Sequence, residues 1–322
     1  MYDRMSLLAY VNDKDISRNI RFITSYFHNS SIPDFIAGIE NDIPNNEIAI
    51  HSRELFIVCE KMRESLSKID LSLYTEEIRR IQLKGVHLIA YESEIYPEKL
   101  REISDPPLLL YHRGSLTDFH NCIAIVGTRS PSVWGKETAY NFAGDLVSRG
   151  YTIVGGLAAG IDTAAHRGAL AASGKTVAIL AGHIEDIYPR QNIDLAREII
   201  ASGAILSEVS PFVKVHKGRF ISRNRLTSGL SHCVIAVESP GGGGTLQQVR
   251  VALAQQRPVF ICTPDKENHR AQKGFHELRK LGAIPIQAVD DVLEYLSKGS
   301  SPHHINDSTT RYSKIMTLKD YS

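Results

Sequence analysis

Six short apolar runs, at 122–126, 151–154, 176–181, 204–206, 233–237 and 259–262, are separated by connections several of which are helix-length. Strands that read as continuous apolar rather than alternating are buried on both faces, and helix-length crossovers join parallel strands. The pattern therefore predicts an α/β fold, a doubly wound, mainly parallel Rossmann-like sheet covered by helices on both faces. Two runs ahead of it, VHLIAY at 86–91 and another at 108–111, predict further strands joined by an irregular passage, and the helix of VDDVLEYLSKG closes the domain. The boundaries expected are 85–298 for the sheet domain, 1–84 for a helical N-terminal domain and 299–322 for a polar tail. The N-terminal part has one glycine, Gly38, and places Leu55, Val58, Cys59, Met62 and Leu66 on one helical face. That face either packs into a small core or receives a partner.

At 322 residues the chain has room for two domains, and 43% hydrophobic with 23% charged residues excludes a disordered or fibrous chain. No apolar run approaches the roughly 20 residues of a membrane span, and the N-terminus has no cleavable signal pattern, so no membrane role and a cytoplasmic location are expected. Cys59, Cys122, Cys233 and Cys262 lie far apart in or beside apolar runs with no metal-ligand spacing. They read as buried, reduced thiols, and no metal or cofactor is expected. A net charge of +1 excludes a strongly basic chromatin-type protein and leaves local patches open.

Ligands of open parallel sheets bind beyond the carboxyl ends of the strands. Three such places stand out. After 122–126 come Gly127, Thr128 and Arg129, a tight turn followed by a guanidinium suited to phosphate or simply solvated. After 151–154 come Gly155, Gly156 and, past LAAG, Asp162 at the opening of a helix that continues through His166. Its free N–H groups favour an anion, while Asp162 reads equally as an N-cap or first-turn acid and His166 as a packed core residue. After Glu238 comes PGGGGT, containing Gly242, Gly243 and Thr245, where consecutive glycines suggest close approach of backbone to a ligand, or a flexible loop. The chain has neither the glycine fingerprint of a dinucleotide site at a first strand end nor a P-loop.

Between Val209 and Val237 there is no acid, yet Lys214, Lys217, Arg219, Arg223 and Arg225 fall close together. On a helix, Arg219 and Arg223 share a face at i, i+4 with Phe220 and Asn224 beside them. Cations next to an aromatic and an amide suit a single strand, whose phosphates need charge and whose bases need a stacking surface. The alternative is a solvated face with Phe220 turned into the core. Arg190, in YPRQN after 176–181, adds a cation to the same rim.

In this order, VGTRSP, GGLAAGIDTAAHRGAL, IYPRQN, LSEVSP and RFISRNRLTSGLS resemble the DprA, or Smf, family of DNA-processing proteins over about 85–298. The resemblance implies a Rossmann-like homodimer that binds single-stranded DNA without sequence specificity and helps load a RecA-type recombinase during uptake of foreign DNA. It puts Arg129, Arg190, Lys217, Arg223 and Arg225 at the DNA, with Gly127, Gly155, Gly156 and Asp162 shaping the pocket. One departure is PGGGGT, which is similar to the PGGxGT of the Lonely Guy nucleotide phosphoribohydrolases. Those enzymes carry a glutamate where this chain has Gln248, and an amide cannot act as acid, base or ion partner in cleaving an N-glycosidic bond, although Glu238 supplies a nearby carboxylate. The expectation is thus a DNA binder with no catalytic residues. Nucleotide binding or cleavage of the Lonely Guy type is the alternative, and a nucleotide sensor signalling through the helical segment is a third class. Where many relatives add a winged-helix domain at the C-terminus, only a short polar tail is expected here.

Overall fold

The computed structural model describes residues 72–298 apart from Glu92 and Val215. The expectations for the helical face at 55–66, for Cys59 and for the tail at 299–322 lie outside the described residues. Helix α1 (Ser72–Gln82) precedes strand β1 (His87–Ala90), the short helix α2 (Glu98–Arg101) and strand β2 (Leu109–Gly114). Then strand and helix alternate: β3 (Cys122–Val126), α3 (Val133–Ser148), β4 (Thr152–Gly155), α4 (Ile161–Ala171), β5 (Thr176–Ile179), α5 (Ile193–Ser202), β6 (Ala204–Ser207) and α6 (Lys217–Gly229). The series continues through β7 (Val234–Ala236), α7 (Gly243–Ala254), β8 (Val259–Cys262), α8 (His269–Lys280), β9 (Ile284–Ile286) and α9 (Val289–Ser297).

Among the described residues there is one nine-stranded sheet, in the order β1-β2-β6-β5-β4-β3-β7-β8-β9. Strands β3 to β9 are parallel, and β1 and β2 extend the β6 edge in antiparallel pairing. Strands β3 to β8 are buried along their whole length, as their unbroken apolar sequences require. Their side chains divide between two cores. Cys122, Ala124 and Val126 of β3 join Leu100, Leu226, Val249 and Leu278 under α2, α6, α7 and α8. Ile123 and Ile125 join Ala139, Ala143, Ala165 and Val292 under α3, α4 and α9. Cys122, Cys233 and Cys262 are free and buried in these cores, where desolvation raises their thiol pKa values and keeps them protonated.

Strand order reverses between β3 and β7, the two central neighbours from which the chain winds outward in opposite directions. That reversal is the topological switch point, where an open α/β sheet opens a crevice beyond its strand ends. Strand β9 has no counterpart in the sequence reading. It is three residues long with Pro285 at its centre, a pattern that survives only at a sheet edge.

Candidate nucleic-acid interface

The turn after β4 is built around Asp162. Its Oδ2 accepts from the backbone N–H of Gly156 at 2.7 Å and of Ala158 at 3.4 Å, so the carboxylate reaches back to the turn instead of capping α4. Between them Leu157 is buried in a left-handed conformation (φ 58°), a strained backbone that such tethering sustains. Asn192 completes the frame: its Nδ2 donates to Leu157 O and to Thr163 Oγ1, each at 2.9 Å, while Thr163 donates to Ala158 O. Burial pushes the Asp162 carboxyl up, and the facing charge of Arg223 with the two N–H donors pulls it down.

Arg223 lies beneath this turn. Its Nη1 donates to Ile179 O at 2.9 Å, and a Cβ on Gly156 would overlap its guanidinium. Gly156 is therefore a glycine because an arginine passes against it. Gly155 is one for a similar reason, since a Cβ there would lie 2.8 Å from His166 Nε2. His166 is wholly buried, and its Nδ1 meets Thr176 Oγ1 at 2.7 Å. The threonine hydroxyl donates to Ile153 O, so Nδ1 carries the imidazole proton and Nε2 is left without a hydrogen-bond partner. Burial, with Arg223 nearby, pushes the ring's pKa down to about 3. The residue is a neutral core histidine.

On the outer side of this frame, exposed Arg129 holds its guanidinium over the ring of Phe220, 5.4 Å from the centroid. Tyr188, 61% exposed, packs edge-on to the same ring at 6.1 Å and 73°. Arg190, two residues on in a 3-10 turn, is also exposed. Thr128 holds the start of this surface to the sheet, its N–H donating to Glu238 O and its carbonyl accepting from Ile161 N. Gly127 leaves no room for a side chain between Ile161 and Glu238.

The basic segment forms α6 as its spacing predicts, but the structure sorts its cations differently. Arg225 is engaged within the chain. Its guanidinium is paired with Asp105 at 2.8 Å and Glu208 at 2.6 Å, and its side chain is only 12% exposed. Arg225 is neutralised by acids outside the acid-free stretch, which a count within that stretch does not include. Arg219, Arg223 and Asn224 are buried as well, so Arg223 supports the turn from below, and Asn224 O accepts from Gln248 Nε2 at 3.0 Å. Lys217 begins α6, and the expectation for its side chain lies outside the described residues.

The glycine loop after β7 is a separate feature. Gly241, Gly242 and Gly243 all have positive φ, which explains three of the four glycines by backbone conformation. Gly242 N–H donates to Glu277 Oε2 at 2.7 Å, and Thr245 is buried in the first turn of α7. Tyr188 and Asn192 are the residues whose roles the sequence reading missed. The signal available was their place in YPRQN, beyond a strand end on the rim.

The family model for DNA recombination-mediator protein A matches residues 87–297. The chain is 36% identical over 215 residues to the DNA processing protein DprA of Bacillus subtilis, across 66% of this chain and 72% of that one. Against the curated relatives it matches, it spans from 44% to 88% of their length. Its fold is similar to DNA processing protein A of Streptococcus pneumoniae, with a TM-score of 0.67 and 28% identity over 81% of this chain and 89% of that one. It is also similar to DNA processing protein A of Helicobacter pylori, whose structure concerns that protein's single-stranded DNA binding mode, with a TM-score of 0.59 and 30% identity over 66% and 97%.

Proposed function

Because the chain belongs to the DNA recombination-mediator protein A family, we propose that it binds single-stranded DNA without regard to sequence, at the rim where Arg129, Phe220 and Tyr188 meet. One observation carries the reading: a guanidinium in no salt bridge among the described residues lies over a half-buried aromatic ring, beside an exposed tyrosine and a second exposed arginine. Phosphates need the cations, and bases need the aromatic faces, each stacked base contributing roughly 1–3 kcal/mol. The single-stranded DNA binding mode described for the H. pylori relative supports the same class of ligand. Gly127, Thr128, Gly155, Gly156, Asp162 and Arg223 shape and support this rim, and Arg190 extends it.

The reading includes no chemical step. Gln248 is buried and donates to a backbone carbonyl, and Glu238 is buried in contacts with α3, so neither is placed to attack a glycosidic bond. It also includes pairing of two copies, transfer of the strand to a RecA-type recombinase and a cytoplasmic setting. The family's description as a recombination mediator supports the recombinase. Among the described residues no helix is long and apolar enough to cross a membrane.

The test is fluorescence anisotropy of a labelled oligo-dT across a salt series, with wild type and Arg129→Ala. Wild type should bind with a log–log salt slope of about −0.7 for each phosphate neutralised, and Arg129→Ala should bind more weakly with a slope shallower by about 0.7. Absence of binding at low salt overturns the reading.

A further inference from the structure

At the switch point between β3 and β7, the place where an open sheet seats a ligand, the structure shows an internal carboxylate. Glu238 follows β7, yet its side chain crosses to the start of α3. There it accepts from Ser132 N–H at 3.0 and 3.2 Å and from Ser132 Oγ–H at 2.7 Å. Helix α3 has a cap of its own, because Ser132 Oγ already accepts from Gly135 N–H at 3.1 Å. The glutamate therefore adds a full negative charge, delivered from the far side of the crevice, to a helix end that had been capped. The chain makes room for it: a Cβ at Gly135 would collide with Glu238 Oε2. Asn268 Nδ2 closes the other side of Ser132 Oγ at 3.3 Å, and Glu238 is 2% exposed.

Two turns nearby repeat the arrangement. Asp162 takes the N–H groups of Gly156 and Ala158 after β4, and Glu277 takes that of Gly242 after β7. Each glycine-rich turn that could cradle a phosphate thus carries a carboxylate of its own.

We infer that Glu238 is a built-in surrogate for a ligand phosphate, and that it sets specificity by closing the switch point to free nucleotides. The inference rests on the DNA reading for what is left to bind: with the N–H groups of Ser132, Gly135, Gly156, Ala158 and Gly242 taken from within the chain, the rim offers an anionic ligand its exposed side chains, which can follow a polymer but do not enclose a mononucleotide.

The test compares wild type, Glu238→Ala and Glu238→Gln by thermal melting and by amide NMR shifts, with inorganic phosphate and dTMP as probes at constant ionic strength. In Glu238→Ala the vacated helix end should take the probe, so its melting temperature should rise with phosphate or dTMP and the amides of Ser132 and Gly135 should shift. Wild type and Glu238→Gln, whose side chain still fills the crevice, should do neither. A folded Glu238→Ala that ignores both probes overturns the inference. So does wild type binding dTMP with shifts at Ser132 and Gly135, and this arm decides even if Glu238→Ala does not fold. Oligo-dT binding by wild type is scored separately, so failure of the DNA reading and failure of the internal anion are told apart.

Discussion

Arg129 and Arg225 carry the same expectation from the sequence, both placed at the DNA by the family resemblance, and the structure gives them opposite surroundings. Arg129 is exposed and stacked on Phe220, while Arg225 joins α6 to Asp105 and Glu208. Arg225→Ala would leave two carboxylates facing each other in a largely buried place. Removing one partner of such a cluster costs about 3–5 kcal/mol, and denaturant melts should show a loss of that order. In the fraction that remains folded, the salt slope of oligo-dT binding should stay at the wild-type value, the reverse of the Arg129→Ala result. The difference was not legible in the residues because the partners of Arg225 stand 120 and 17 positions away. A charge run shows how many cations there are, and only the fold shows which of them are already answered.

At the scale of the element, the turn from Gly155 to Thr163 and helix α6 form one mechanical unit. Arg223 passes against Gly156, so Gly156→Ala would drive a methyl into a buried guanidinium and displace the arginine from Ile179 O. Overpacking of this kind typically costs about 1–3 kcal/mol. The variant should therefore melt earlier than wild type and also bind oligo-dT more weakly, since Phe220 is carried on the same helix, three residues before Arg223. Equal DNA affinity in a destabilised variant would break the proposed link between turn and rim. The elements themselves were largely legible. Runs that are buried on both faces announce parallel strands by continuous apolar sequence, and β3 and β8 fall on the predicted bounds. Asp162 was the harder case, because its position in the first turn of α4 suits a cap, a ligand or a tether equally, and only the hydrogen bonds to Gly156 and Ala158 choose the last.

For the whole molecule, the strand order that puts β3 beside β7 could not be read from the sequence, and with it went the meeting of Glu238 and Ser132, 106 positions apart. The buried histidines also act at this scale. His166 titrates near 3 when folded and near 6.5 when unfolded, so the unfolded chain takes up a proton that the native state refuses. Its contribution is complete above about pH 6.5 and is lost as pH falls toward 3, at up to about 1.4 kcal/mol per pH unit. His112 and His183, also lowered by burial, act in the same direction. Asp162, raised by burial, works in the opposite sense, so the histidine is read by difference: in chemical denaturation between pH 6.5 and 5, the fall of stability with falling pH should be weaker in His166→Gln than in wild type by about one proton. The frame around Leu157 has a further consequence. Because Asp162, Asn192 and Thr163 fix the turn before any strand arrives, little loop entropy is lost on association. If the rim binds DNA as proposed, encounter would then be set by charge and respond to salt, while the lifetime of the complex would be set by how long bases remain stacked on the aromatic rings.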